Sequence, residues 1–203
     1  MVLSPHTDDG EIGAGGLIAK LLEQGVEVYY IAYSICEESV PEGYHKEVLA
    51  EEVMNATSVL GIPVENVNCH RFKVRYFSRD RQEILESMIK SRNEIRPDLV
   101  LLPSKHDCHQ DHEVIHNEGV RAFKGVTLLG YETTWNNFSF DANLLVKLDE
   151  CFINRKMDAI SEYQSQLFRS YKPEMIKSLA QARGLQLKTE YAEAYNIIRW
   201  VWE

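Results

Sequence analysis

Short apolar runs alternate with helix-period segments along this chain, and that alternation is its strongest constraint on fold. "VEVYYIAYS" is β-branched and aromatic, and "DLVLLP" is apolar until Pro103 closes it; both predict strands. "MVLS", "VENVNCHRF" and "VTLLGYE" predict shorter ones. Between them, "EIGAGGLIAKLLEQG" spaces Ile12, Leu17, Ile18, Leu21 and Leu22 as a helix face, with Gly25 as C-cap. "YHKEVLAEEVMNATSVLG" predicts a helix stopped by Gly61 and Pro63, and "SRDRQEILESMIKSRNEI" one with Ser78 as N-cap. "HEVIHNEGVRAFK" predicts a fourth. Strands and helices alternating at this pace specify an α/β fold around a mostly parallel sheet.

The final third is richer in helix. "TTWNNFSFDANL" is a polar-aromatic loop, "VKLDECFINRKMDAISEYQSQ" contains a helix, and "KPEMIKSLAQARG" begins another at Pro173. The tail "EYAEAYNIIRWVWE" predicts a strand. With 203 residues and no linker or repeat, the whole of 1–203 is expected to be one domain.

A net charge of -9 without a basic block argues against a nucleic-acid or anionic membrane surface. No apolar run is long enough to span a bilayer, and no signal-peptide pattern opens the chain. Cys36, Cys69, Cys108 and Cys151 are scattered, which suits reduced thiols in a cytoplasmic protein.

Two loops concentrate metal-ligating side chains. The first, "SPHTDDG", carries His6, Asp8 and Asp9. The second, "SKHDCHQDH", carries His106, Asp107, His109, Asp111 and His112, with His116 one helical turn on. In a doubly wound sheet of order 3-2-1-4-5, the strands preceding these loops are neighbours, and ligands bind in the crevice at their carboxyl ends. Imidazole and carboxylate together suit zinc with an open water position. The glycines of "GEIGAGG" lack dinucleotide-loop spacing. Gly15 and Gly16 are instead expected to let a helix pack closely on the sheet. His45, His70 and Cys108 are assigned no chemistry. Glu11 is expected to cap the helix start or brace the loop, or to serve as a plain first-turn acid at the helix dipole.

"PHTDDGEIGAGG" followed by "DCHQDH" resembles the PIG-L/LmbE-like zinc-dependent de-N-acetylases, whose signatures are H-P-D-D-x-E and H-x-D-H. Thr7 stands where that family has proline, and "AYSICEES" where many members have a T-D-G-type turn. The resemblance implies a Rossmann-like three-layer sandwich with the metal site at the carboxyl ends of strands 1 and 4. It implies hydrolysis of an acetamido group on a sugar or sugar conjugate. It also implies one Zn2+ per chain held by His6, Asp9 and His112, with Asp8 as general base. His109, as an imidazolium, would stabilise the oxyanion and protonate the leaving amine, and Asp111 would orient it. "SICEESVPEGY", "RYFSRDRQEILE" and "LGYETTWNN" look most like members encoded with surface-polysaccharide genes.

Amide hydrolysis needs an activated water and a stabilised oxyanion, which such a metal and such side chains supply. For substrate binding, Arg75 and Arg81 are candidates for a phosphate or carboxylate, Trp135 for stacking on a sugar ring, and Tyr191 for closing the pocket. The partner is then a small N-acetyl sugar, free or nucleotide- or lipid-linked, and a homo-oligomer is left open. A metal-dependent phosphoester hydrolase, or a sugar-binding protein that has lost activity, are the alternatives.

Overall fold

The computed structural model describes residues 1–166 and 172–202. Seven strands form one sheet in the order β3-β2-β1-β4-β5-β7-β6. They are β1 (Val2–Ser4), β2 (Tyr30–Ala32), β3 (Val67–Cys69), β4 (Leu99–Pro103), β5 (Thr127–Tyr131), β6 (Leu144–Leu148) and β7 (Tyr191–Arg199). β1 to β5 are mutually parallel, and β7 runs antiparallel to both β5 and β6. The first five strands thus take the expected order, and β1 lies beside β4.

The helices are α1 (Asp9–Glu23), α2 (Val48–Leu60), α3 (Arg81–Ile95), α4 (Gln110–Ala122), α5 (Glu150–Ser161) and α6 (Pro173–Leu185). α1, α2 and α5 pack together, α3 packs on α4, and α6 packs on β7. Two large apolar cores follow, beside a small cluster of Ile12, Ile160 and Ile176. One joins Ile18, Val53, Leu60 and Ile153; the other joins Ile84, Met88, Ile115 and Phe123. Burial of these side chains on both sheet faces is the main force holding the layers together.

Several boundaries differ from expectation. α3 begins at Arg81 with Asp80, not Ser78, in the N-cap position. α4 begins two residues early, because His109 caps it through a bond from Asp111 N. "LLVKL", expected as loop and helix, is strand β6, since β7 offers it a full antiparallel partner. Gln24 is the C-cap of α1, and Gly25 follows it in the left-handed region at φ +77°.

The glycines of α1 are packing residues. A Cβ on Gly13 would stand 2.3 Å from the Tyr131 ring, and one on Gly16 2.4 Å from Leu148 Cδ1. The helix lies against the sheet at a distance that side chains would forbid.

Candidate metal centre and active site

β1 ends at Ser4, and the chain turns through His6–Asp8 into α1. β4 ends at Pro103, and its loop turns through Asp107–His109 into α4. Because β1 and β4 are neighbours, the two turns meet. His6 Nδ1 and His112 Nε2 each lie 3.1 Å from Asp9 Oδ2, and 3.3 Å from one another. Donors bound at about 2.0–2.2 Å around a tetrahedral ion lie roughly 3.3–3.6 Å apart. The three atoms therefore already form one face of such a polyhedron, and the nitrogen-and-carboxylate chemistry of the set fits Zn2+.

His109 stands against the same group. Donor atoms of His6, His109 and His112 all lie within 4.8 Å of one another, a cluster able to hold a metal ion.

Each of the two nearer histidines is gripped from behind by a carboxylate. Asp111 Oδ2 lies 3.0 Å from His6 Nε2, and Asp107 Oδ2 lies 2.7 Å from His112 Nδ1. Such bonds fix the tautomer and aim the remaining nitrogen at the metal position. Asp111 also accepts the backbone N–H groups of Arg75 (2.6 Å) and Phe77 (3.3 Å), so its carboxylate is turned toward three donors other than His109. Among the described contacts its carboxylate makes no bond to the His109 ring. Asp111 supports His109 instead through its backbone N–H, which donates to His109 Nδ1 at 3.2 Å.

The electrostatics follow. Burial disfavours charge on His112, but Asp9 and Asp107 outweigh it and push its pKa up to about 10. Burial likewise opposes the charge on His6, yet Asp9 and Asp111 raise it. Burial would raise the Asp9 carboxyl, but His112 and His6 hold it well below the usual range. His109 is pushed down to about 4 by burial and by the two neighbouring histidines. Its Nδ1 accepts a backbone N–H, an arrangement that favours the neutral Nε2–H tautomer over the expected imidazolium.

A cleft of about 440 Å³ opens over this centre. His6, Asp8, Asp9, His109 and His112 line its floor, and Cys36, Ser39, Arg75, Trp135, Asn136 and Gln166 are among its walls. Asp8 occupies the N-cap position of α1 without making a side-chain capping bond. Arg75 sits at φ +70° and donates to Ser39 Oγ at 2.9 Å.

Arg81 and Tyr191 are not brought into the cleft. Arg81 donates through Nε to the buried Glu118 on α4 at 2.7 Å. Tyr191 opens β7 with its side chain in the core and the Lys177 amine 5.3 Å from its ring centroid. Glu193, from the same segment, also turns inward, toward the amides of Gly16 and Leu17. His106 pairs with Asp141 at 3.5 Å, and His116 donates to Pro103 O at 2.8 Å, so neither joins the donors. His45 pairs with Glu51 on the surface, and His70 stacks on Tyr33. Cys108 is exposed.

Sequence reasoning assigned no role to Tyr30, Tyr163 or Gln166. Gln166 is buried at the cleft wall, its Nε2 donating to Ser165 Oγ at 3.0 Å. Ser165 is in turn held through its N and Oγ by both carboxylate oxygens of Glu52. The segment "EYQSQ" was the only available signal for these contacts.

The PIG-L family, described as GlcNAc-PI de-N-acetylase, matches residues 1–123. A curated relative, the uncharacterized deacetylase YaiS of Escherichia coli K12, is 23% identical over 169 residues, covering 81% of this chain and 90% of that protein. The conserved protein TT1542 of Thermus thermophilus superposes with a TM-score of 0.84 at 24% identity, covering 100% of this chain and 95% of that one. The N,N'-diacetylchitobiose deacetylase of Pyrococcus horikoshii superposes with a TM-score of 0.81 at 20% identity, covering 97% and 82%.

Proposed function

Because the chain belongs to the PIG-L family of de-N-acetylases, hydrolytic enzymes, we propose that it removes the acetyl group from an N-acetylated sugar or sugar conjugate using one Zn2+. The observation that carries this reading is the triangle of His6, Asp9 and His112 donors opening onto a cleft that also holds Asp8 and His109.

His6, Asp9 and His112 would hold the ion. When bound there, it would polarise the acetyl carbonyl and ease deprotonation of water. The chain's own groups do the rest. Asp8 accepts a proton from the attacking water and returns it to the leaving nitrogen. His109 Nε2–H donates to the acetyl oxygen as negative charge develops on it. Trp135 at the cleft wall suits a sugar face, and Arg75 suits a phosphate or carboxylate on a nucleotide- or lipid-linked carrier.

A role in assembling a surface polysaccharide rests on the sequence segments noted above. All four cysteines are free, which supports a reducing, cytoplasmic setting. No helix among the described residues is long and apolar enough to cross a membrane.

The test is acetate release by the Zn2+-loaded protein from N-acetylhexosamines presented free, nucleotide-linked and lipid-linked. Activity on one or more is expected, falling by about 100- to 10,000-fold in Asp8→Ala. No acetate from any of them overturns the function, and phosphate release instead establishes a phosphoester hydrolase. Full activity in Asp8→Ala overturns the base assignment.

A further inference from the structure

Two tyrosines from distant parts of the chain converge on one backbone carbonyl in the metal turn. Tyr30, on β2, places its hydroxyl 2.8 Å from Thr7 O. Tyr163, just after α5, places its own 2.7 Å from the same oxygen. Both hydroxyls also reach the carboxylate of Glu11, Tyr163 at 2.9 Å and Tyr30 on the other oxygen. All three side chains are buried, and each hydroxyl shares its single proton between Thr7 O and Glu11, with Tyr30 also 3.0 Å from Ser4 Oγ. Ser4 completes the arrangement: its Oγ donates to His6 O at 2.5 Å and accepts from Gly10 N at 3.0 Å. Gly10 is needed for the seat, since a Cβ there would stand 2.6 Å from the Tyr30 ring.

We propose that Glu11, Tyr30 and Tyr163 form a clamp on the Thr7 carbonyl that sets the direction of Asp8, making these three positioning residues for the proton-transfer step. Thr7 O and Asp8 N belong to one rigid peptide plane. Holding the oxygen from two sides fixes how the chain enters Asp8. One residue on, Asp9 folds back, its Oδ2 accepting His6 N at 2.9 Å while meeting both imidazoles. Adjacent carboxylates are thereby sent apart, Asp9 to the donor triangle and Asp8 to the cleft.

The two anchors are separate. Among the described residues the clamp's bonds run to the backbone of the turn and to Ser4, whereas the imidazoles of the triangle are tied down by Asp107 and Asp111. Loosening the clamp therefore costs turnover without dismantling the metal site. This inference rests on Asp8 as the proton acceptor.

The test uses the Zn2+-loaded full chain with Tyr163→Phe and Tyr30→Phe, which remove one hydroxyl each. A misplaced proton acceptor is expected to lower kcat by about ten- to a hundredfold. KM and the Zn2+ dissociation constant, read by competition with a chromophoric chelator, stay at the wild-type values. Glu11→Gln, which keeps an acceptor, retains more kcat than Glu11→Ala. Backbone amide NMR of the Zn2+-loaded Tyr163→Phe variant shows the Asp8 signal moved and the His112 signal in place. Unchanged kcat with an unmoved Asp8 signal overturns the clamp. So does a joint fall of kcat, Zn2+ affinity and melting temperature, which marks a merely structural network. Asp8→Asn separates the two claims: full activity there removes the base assignment, while the NMR shift still decides the clamp.

Discussion

Asp107 Oδ2 stands 2.7 Å from His112 Nδ1, and that bond decides which nitrogen of His112 faces Asp9 and His6. Both side chains are almost wholly buried, so the contact is not diluted by solvent. Asp107→Ala is expected to weaken Zn2+ binding by about 10- to 100-fold, the usual cost of losing an orienting carboxylate. Asp107→Asn, which keeps an acceptor, loses less. Chelator competition measures both, and wild-type affinity in the alanine variant would remove the orienting role.

Proton release should accompany metal binding. The metal-free His112 has its pKa raised to about 10 and carries a proton near neutral pH, while coordination needs the bare Nε2. Below about pH 10, Zn2+ affinity is therefore expected to rise by about tenfold per pH unit for this group. Stability of the metal-free fold runs the other way. A raised histidine pKa contributes fully below the ordinary value of about 6.5 and is lost as pH climbs through the folded value. Calorimetric titration in buffers of different ionisation enthalpy counts the protons. A pH-independent dissociation constant would show that His112 is not the site of release.

Arg75 and Arg81 should separate cleanly in kinetics. Arg75 lies at the cleft, whereas Arg81 is committed to Glu118, which it shares with Arg121. Arg75→Ala is expected to raise KM for a phosphate-bearing substrate more than for the neutral sugar. Arg81→Ala leaves KM unchanged and lowers the melting temperature, because a buried carboxylate loses one of two cations. Steady-state kinetics on both substrates, with thermal melts, distinguish them; a KM effect confined to Arg81 would reverse the assignment.

How far the sequence could lead depends on the kind of contact. The alternation of "VEVYYIAYS" and "DLVLLP" with helical segments implied the parallel sheet, and strand-order rules then brought His6, Asp9 and His112 to one place. Those are consequences of periodicity and topology. Side-chain direction within a loop is not. Asp107 and Asp111 sit in one polar stretch, and nothing local says that one grips His112 and the other His6. Nothing local marks Tyr30 and Tyr163, because their hydroxyl partners are distant in sequence. "LLVKL" lacked a visible partner until β7 was placed beside it. Tyr191 looked like a pocket residue only because its segment resembled the family, while the pleat of β7 points it into the core.

On the underside of α1, Lys156 Nζ meets Glu193 Oε1 at 2.7 Å, with both side chains about as buried as core residues. Gly15 makes the approach possible, since a Cβ there would stand 2.9 Å from Lys156 Cγ. Glu193 further accepts the amides of Gly16 (2.9 Å) and Leu17 (2.8 Å) and the Tyr195 hydroxyl (2.7 Å). Removing only the cation leaves a carboxylate that water cannot reach. Lys156→Met is therefore expected to destabilise the fold by about 3–5 kcal/mol. Lys156→Met with Glu193→Gln removes the stranded charge and recovers part of that loss. Urea unfolding gives each value, and a double variant no more stable than Lys156→Met would mean that the lysine acts through packing and not through its charge.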